Sequence, residues 1–170
     1  MSIEKALIAE KQNKIELAAQ IYENIIKQEN YPSIDCFINL LIIYFIANDP
    51  AERKNYELNM DFTNFGNSRT PVLLSIAKHL YPASQELLFW ENYIHFILDN
   101  DSACKEIDKK FSEQHETLIP FFYFYEPKHS VFLKEAELLR AEVKDGNTCK
   151  ERYIKSVLDA SWKRRLFYQK

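Results

Sequence analysis

Only two glycines, Gly66 and Gly146, occur in the 170 residues, too far apart in the chain to share a loop. Phosphate-cradling turns and the nucleophile elbow of hydrolases each need glycines close together. None of those motifs can be written with this chain. Tight hairpin turns are short of material as well, which weighs against an all-β sandwich.

What replaces glycine is capping chemistry. Asp49-Pro50-Ala51-Glu52 puts an acid before a proline at a first helical position, with a second acid in the first turn. Thr70-Pro71 repeats the pattern, Tyr81-Pro82 and Ile119-Pro120 allow new starts, and Asp145-Gly146 supplies a stop before Thr148-x-x-Glu151. Apolar residues between these signals recur with the helical period. The reading is all-α, with about ten helices near 2–12, 14–29, 33–47, 50–60, 71–80, 83–99, 102–115, 118–126, 130–145 and 148–167. Residues 61–69 read as a loop. Short connections imply antiparallel neighbours, hence a single domain of stacked helical hairpins over 1–170.

Bulk composition narrows the class. With 46% hydrophobic and 28% charged residues the chain has a soluble globular balance. Cys36, Cys104 and Cys149 are odd in number and widely spaced, which suits a reducing, cytoplasmic setting. The first residues carry acids and lysines in place of a signal peptide. The apolar stretch Cys36 to Ala47 is too short to span a membrane, so it is expected at the centre of the domain.

Glu16 to Ile26 carries a small residue, an aromatic four on and an apolar residue three further: Ala18, Tyr22 and Ile25, with Ala6 in the preceding helix. This stretch resembles the second helix of a tetratricopeptide repeat. That family has a period of about 34 residues. Stepping by that period from Tyr22 meets Tyr56, Trp90, Phe124 and Leu158, all large and apolar or aromatic. Helix starts expected at 33 and 50, 70 and 82, 102 and 118, and 130 and 148 keep the same step. Glu52, Glu86, Asp108 and Pro120 depart from the family's small and apolar positions. The resemblance implies a right-handed superhelix of stacked hairpins; some other α-hairpin array or an irregular bundle is the alternative open to the chain. Phe89-Trp90-x-x-Tyr93-Ile94-x-Phe96 is similar to the half-a-TPR variant of RNA-processing scaffolds, and fits core packing equally.

The resemblance also implies a groove lined by first helices. Its positions would fall on Ile3, Leu7 and Glu10, then on Phe37, Leu41 and Tyr44. The aromatic run Phe121-Phe122-Tyr123-Phe124-Tyr125 covers every direction of a helix. It is either wedged between neighbours or left partly exposed for a partner, with Phe121, Tyr123 and Tyr125 as candidates. Residues 150–170 hold seven bases against two acids in a chain of net charge −3. Trp162, Lys163, Arg164 and Arg165 there suit a polar terminal helix, docking of an acidic protein, or binding to nucleic acid or a membrane.

Metal and catalytic signals are weak. His79, His95, His115 and His129 form no pair at helical spacing, and no Cys-x-x-Cys occurs. Glu91, His95 and Asp99 share a polar stripe that ordinary i,i+4 pairing explains. Glu135, Glu137 and Glu142 read as an exposed helix face. The expectation is a non-catalytic scaffold without cofactor. It would bind another protein or peptide segment or serve as a subunit of a larger assembly, with a nucleic-acid-associated repeat protein as the alternative.

Overall fold

In the computed structural model, residues 2–99, 117–124 and 132–168 are described, and all regular structure among them is helical. The chain forms two compact units. The first comprises Met1–Leu87 with Asn147–Lys150, and the second Leu88–Gly146 with Glu151–Lys170.

The first unit opens with α1 (Ile3–Lys11) and α2 (Ile15–Gln28), packed on each other. Their turn needs a left-handed residue, and Asn13 supplies it at φ 58°. Lys14 N donates to Ala9 O at 2.8 Å and Asn13 N to Glu10 O at 2.9 Å, the paired bonds of a Schellman stop. Helix α3 (Ile34–Ile46) follows, its Ser33 cap accepting from Asp35 N at 3.2 Å. Every residue from Cys36 to Ile46 is buried, as the all-round apolar pattern requires of a central helix. Helix α2 packs against α3, as does the long helix over Met60–Leu80.

Asp49 caps α4 (Pro50–Asn55), accepting from Ala51 N at 2.7 Å. That helix stops through a second Schellman turn at Glu57, φ 55°. Helix α5 then runs without a break from Met60 to Leu80, its Asn59 cap accepting from Phe62 N at 2.7 Å. This corrects the expected loop at 61–69, the helix end near 60 and the new start at Thr70-Pro71. Pro71 lies inside α5 and Gly66 is buried on it. The expected repeat start at residue 70 therefore falls in mid-helix. Gly66 is present because α5 lies against Tyr44; a Cβ there would meet the ring. A proline inside a helix leaves one carbonyl without its intrahelical donor, a cost that packing here outweighs.

Helix α6 (Gln85–Asp99) begins at Ser84, whose hydroxyl accepts from Leu87 N at 3.2 Å. From Leu88 onward it belongs to the second unit. There Phe89, Trp90 and Tyr93 gather with Phe122 of α7 (Phe121–Phe124) and with Tyr153. Trp90 stacks on Phe122 with ring centroids 5.5 Å apart, and the Tyr93 and Tyr153 hydroxyls lie 2.6 Å apart. Helix α8 (Leu133–Glu142) packs on α7, and α9 (Cys149–Tyr168) carries Asp159, which pairs with Arg140 at 2.8 Å. Helix α7 starts at Phe121, where a start at 118 was expected; residues 125 and 126 and the helix expected at 102–115 lie outside the described residues.

Of the residues met by the repeat step, Tyr22, Trp90 and Leu158 are buried. Tyr56 is the half-buried C-cap of α4, and the Phe124 side chain lies outside the description.

Candidate functional site

Among the described residues of the first unit two polar constellations stand out, one enclosed and one beside a surface groove. The enclosed one centres on Glu10, fully buried on α1. Tyr22 Oη donates to Glu10 Oε1 at 2.7 Å, and Asn39 Nδ2 donates to Tyr22 Oη at 3.2 Å. The second carboxylate oxygen accepts the backbone N–H of Cys149, the first residue of α9. Helix starts carry unpaired N–H donors and positive potential, so a carboxylate there is well placed. Burial, with the Glu10 carboxylate adding to it, pushes the Tyr22 phenol far above its usual range. The group ties α1, α2 and α3 to the start of α9 through one buried carboxylate.

The second constellation lies where α2, α3 and the middle of α5 meet. Glu23, only 5% exposed, accepts Arg69 Nε at 2.8 Å and Arg69 Nη2 at 3.1 Å. Tyr44 Oη donates to the same carboxylate at 3.2 Å, and Lys27 Nζ lies 3.7 Å away. A forked guanidinium with a phenol on one buried carboxylate satisfies the charge that burial would otherwise make costly. Burial first, and then Glu23, raises the Tyr44 phenol well beyond the ordinary tyrosine range.

This ion pair stands at the edge of a groove of about 490 Å³. Ala19 and Tyr44 form its floor, Glu16, Gln20, Asn24 and Lys27 line the α2 side, and Asn59, Asp61, Phe62 and Phe65 line the α5 side. The Tyr44 ring holds Phe62 and Phe65 at centroid distances of 5.5 and 6.0 Å. Phe65 is nevertheless half-exposed, and Val72 and Ile76 continue its stripe along α5 at helical spacing, also exposed. The rim is an aromatic and aliphatic edge on a rigid base.

Of the six groove residues expected from the sequence, five lie elsewhere. Glu10, Phe37 and Leu41 are interior side chains, Leu7 is half-buried on α1, and Ile3 is half-buried beside the α1 cap. Tyr44 does reach the groove, as its floor, with its hydroxyl turned to Glu23. The physical reason is that α3 is covered on all sides, so first-helix positions carried onto it point into core. The groove falls to α2 and α5 instead. Glu16, Glu23, Asp61, Phe62 and Phe65 escaped sequence reasoning. The available signal was Asn59 three residues before Phe62, a capping spacing that turns the supposed loop into a helix start.

Phe121 and Phe122 are core residues of the second unit, which accords with the wedged alternative for those two positions. The Tyr123 side chain and all of Tyr125 lie outside the description. Trp162, Lys163, Arg164 and Arg165 lie on α9, and their side chains are likewise outside it. Phe89, Trp90, Tyr93 and Ile94 are buried, the packing expected of an aromatic core. Among the described residues no three His, Cys, Asp or Glu side chains gather as a metal set, and no helix is long and apolar enough to cross a membrane. Comparison with family models, curated proteins and solved structures found no match for the chain.

Proposed function

We propose that the protein is a non-catalytic protein-binding module, or a subunit of a larger assembly, and that the α2–α5 groove is its docking face. The observation that carries this reading is the half-exposed Phe65 on a groove whose base is fixed by the Glu23–Arg69 pair. Large apolar side chains on a rigid rim are the anchors that protein interfaces use, because their ordering cost is already met before a partner arrives. The nucleic-acid alternative draws on the bases of 150–170, and three of these are engaged within the chain. Lys150 pairs with Glu86 at 2.9 Å, Arg152 donates to Gly146 O at 3.3 Å, and Lys155 to Lys144 O at 2.7 Å. That leaves fewer cations for phosphate contacts.

A photo-crosslinking phenylalanine analogue placed at Gln20 or at Phe65, and separately at exposed Leu138, tests the reading in lysate of the source cells. A discrete adduct from the two groove positions and none from Leu138 is expected. Equal labelling from all three, or none from the groove, removes the groove as the docking face.

A further inference from the structure

We propose that the segment received by this groove is basic and amphipathic: an arginine or lysine at one end, followed by large apolar side chains. The inference rests on the groove being the docking face and adds the chemistry of its occupant.

Charge complementarity is the first argument. The groove is lined by Glu16, Glu23 and Asp61 against Lys27. Glu23 is already matched by Arg69 and Lys27. Glu16 accepts only from the neutral Asn59 amide, at 3.2 Å. Asp61 sits in the first turn of α5, beside Phe62. Among the described residues neither Glu16 nor Asp61 is ion-paired, so two acids face the groove without a cation.

The aromatic edge is the second argument. Phe62 and Phe65 share the α5 wall with Asp61, so a cation reaching the acid passes over a ring. A guanidinium suits both contacts, since it stacks on an aromatic face while its edge meets a carboxylate. A carboxylate in the same place would meet two like charges and a ring face of the wrong sign.

The third argument is direction. From Phe65 the exposed apolar stripe continues through Val72 to Ile76, roughly 16 Å along the helix at about 1.5 Å per residue. A segment anchored by its cation at the Asp61 end therefore lays apolar side chains along α5. The occupant is a protein segment with a charge gradient, as opposed to a uniformly basic or uniformly apolar one.

The test uses the full chain and three capped, fluorescein-labelled dodecapeptides that share one apolar tail, Ala-Leu repeated five times, preceded by Arg-Arg, Gln-Gln or Glu-Glu, read by anisotropy. Preferential binding of the arginine peptide is expected. The double variant Glu16→Lys with Asp61→Lys should weaken it at least about tenfold, as like-charge juxtaposition does at interfaces. Glu16→Gln with Asp61→Asn should give a smaller loss in the same direction, which guards against misfolding of the lysine variant. Glu4→Lys with Glu29→Lys changes net charge equally at exposed positions away from the groove and should leave binding unchanged. Equal loss in that control, or equal binding of the glutamine peptide, overturns the basic occupant. Failure of all three peptides while groove crosslinks persist also overturns it and leaves the docking face standing. Failure of both measurements removes the docking face itself.

Discussion

A Cβ added to Gly66 would lie 2.7 Å from Tyr44 Cδ1 and 2.9 Å from Tyr44 Cγ, so α5 meets α3 at a separation that only glycine permits. The same Tyr44 floors the groove and donates to Glu23. Backbone approach, groove floor and buried ion pair thus depend on one ring.

Gly66→Ala sets two effects against each other. Alanine gains about 1 kcal/mol of helix propensity, while a methyl forced into a packed ring costs about 1–3 kcal/mol. The contact is with the root of the Tyr44 ring, which cannot swing away without moving α3, so the loss wins. Urea denaturation should show a lower midpoint with an unchanged slope. A midpoint at or above that of the parent would show that the Tyr44 ring yields freely.

Glu10→Ala strands two buried donors, the Tyr22 hydroxyl and the Cys149 N–H, and opens a cavity. A cost of about 2–4 kcal/mol is expected from unpaired buried groups. The local signature is sharper than the global one: amide exchange at Cys149 should quicken in Glu10→Ala more than exchange in the middle of α3. Exchange that stays slow at Cys149 would mean that another acceptor takes over.

Glu57 sits at φ 55° and is exposed. A non-glycine residue in the left-handed region costs roughly 1–2 kcal/mol, partly offset by the extra freedom glycine brings to the unfolded chain. Glu57→Gly should therefore raise stability by about 0.5–1 kcal/mol. Asn13→Gly should gain less, because asparagine tolerates this conformation better. Gly146→Ala, at φ 56° with Arg152 Cγ 3.2 Å from the added methyl, should lose stability. Thermal melts of the three variants check the order.

Alkaline pH should unfold the protein from within. Burial, with Glu29 and Asp35 adding, pushes the Cys36 thiol from about 9 up to about 11, and the Tyr22 and Tyr44 phenols are raised above their usual 10. In each case the folded state holds its proton after the unfolded state has released it. Stability is therefore complete below about pH 9 and falls as pH rises from there, by about 1.4 kcal/mol per unit for each group once its unfolded form ionises. Melting temperatures between pH 8 and 11 should drop, and Cys36→Ala should flatten the first part of that drop. A flat profile for the parent would contradict the protonated interior.

The start of α4 was legible because its cap carries a proline right after it: Asp49 accepts from Ala51 and Glu52, within reach of two or three residues. Asn59 caps α5 just as locally, accepting from Phe62, but it was read into the end of the preceding helix because Gly, Asn and Ser follow it. Cys36 to Ala47 announced its own burial by being apolar on every side. Gly66 and Pro71 were misread because their meaning is not local: the glycine answers to Tyr44 on another helix, and tertiary packing carries the proline. The groove was hidden for the same reason. Glu23 and Arg69 look like ordinary surface charges until α2 and α5 are brought together, and no spacing rule links residues so far apart in the chain.

The bond from Cys149 N to Glu10 has a consequence for how the protein is made. Its partners are 139 residues apart, and Asn147–Lys150 belongs with the first unit. Translation delivers α1, α2 and α3 early, with a carboxylate at their centre that still lacks its second donor. The bond between Glu10 and the start of α9 can form only after residue 149 has left the ribosome, and a chain stopped at Leu87 could not make it.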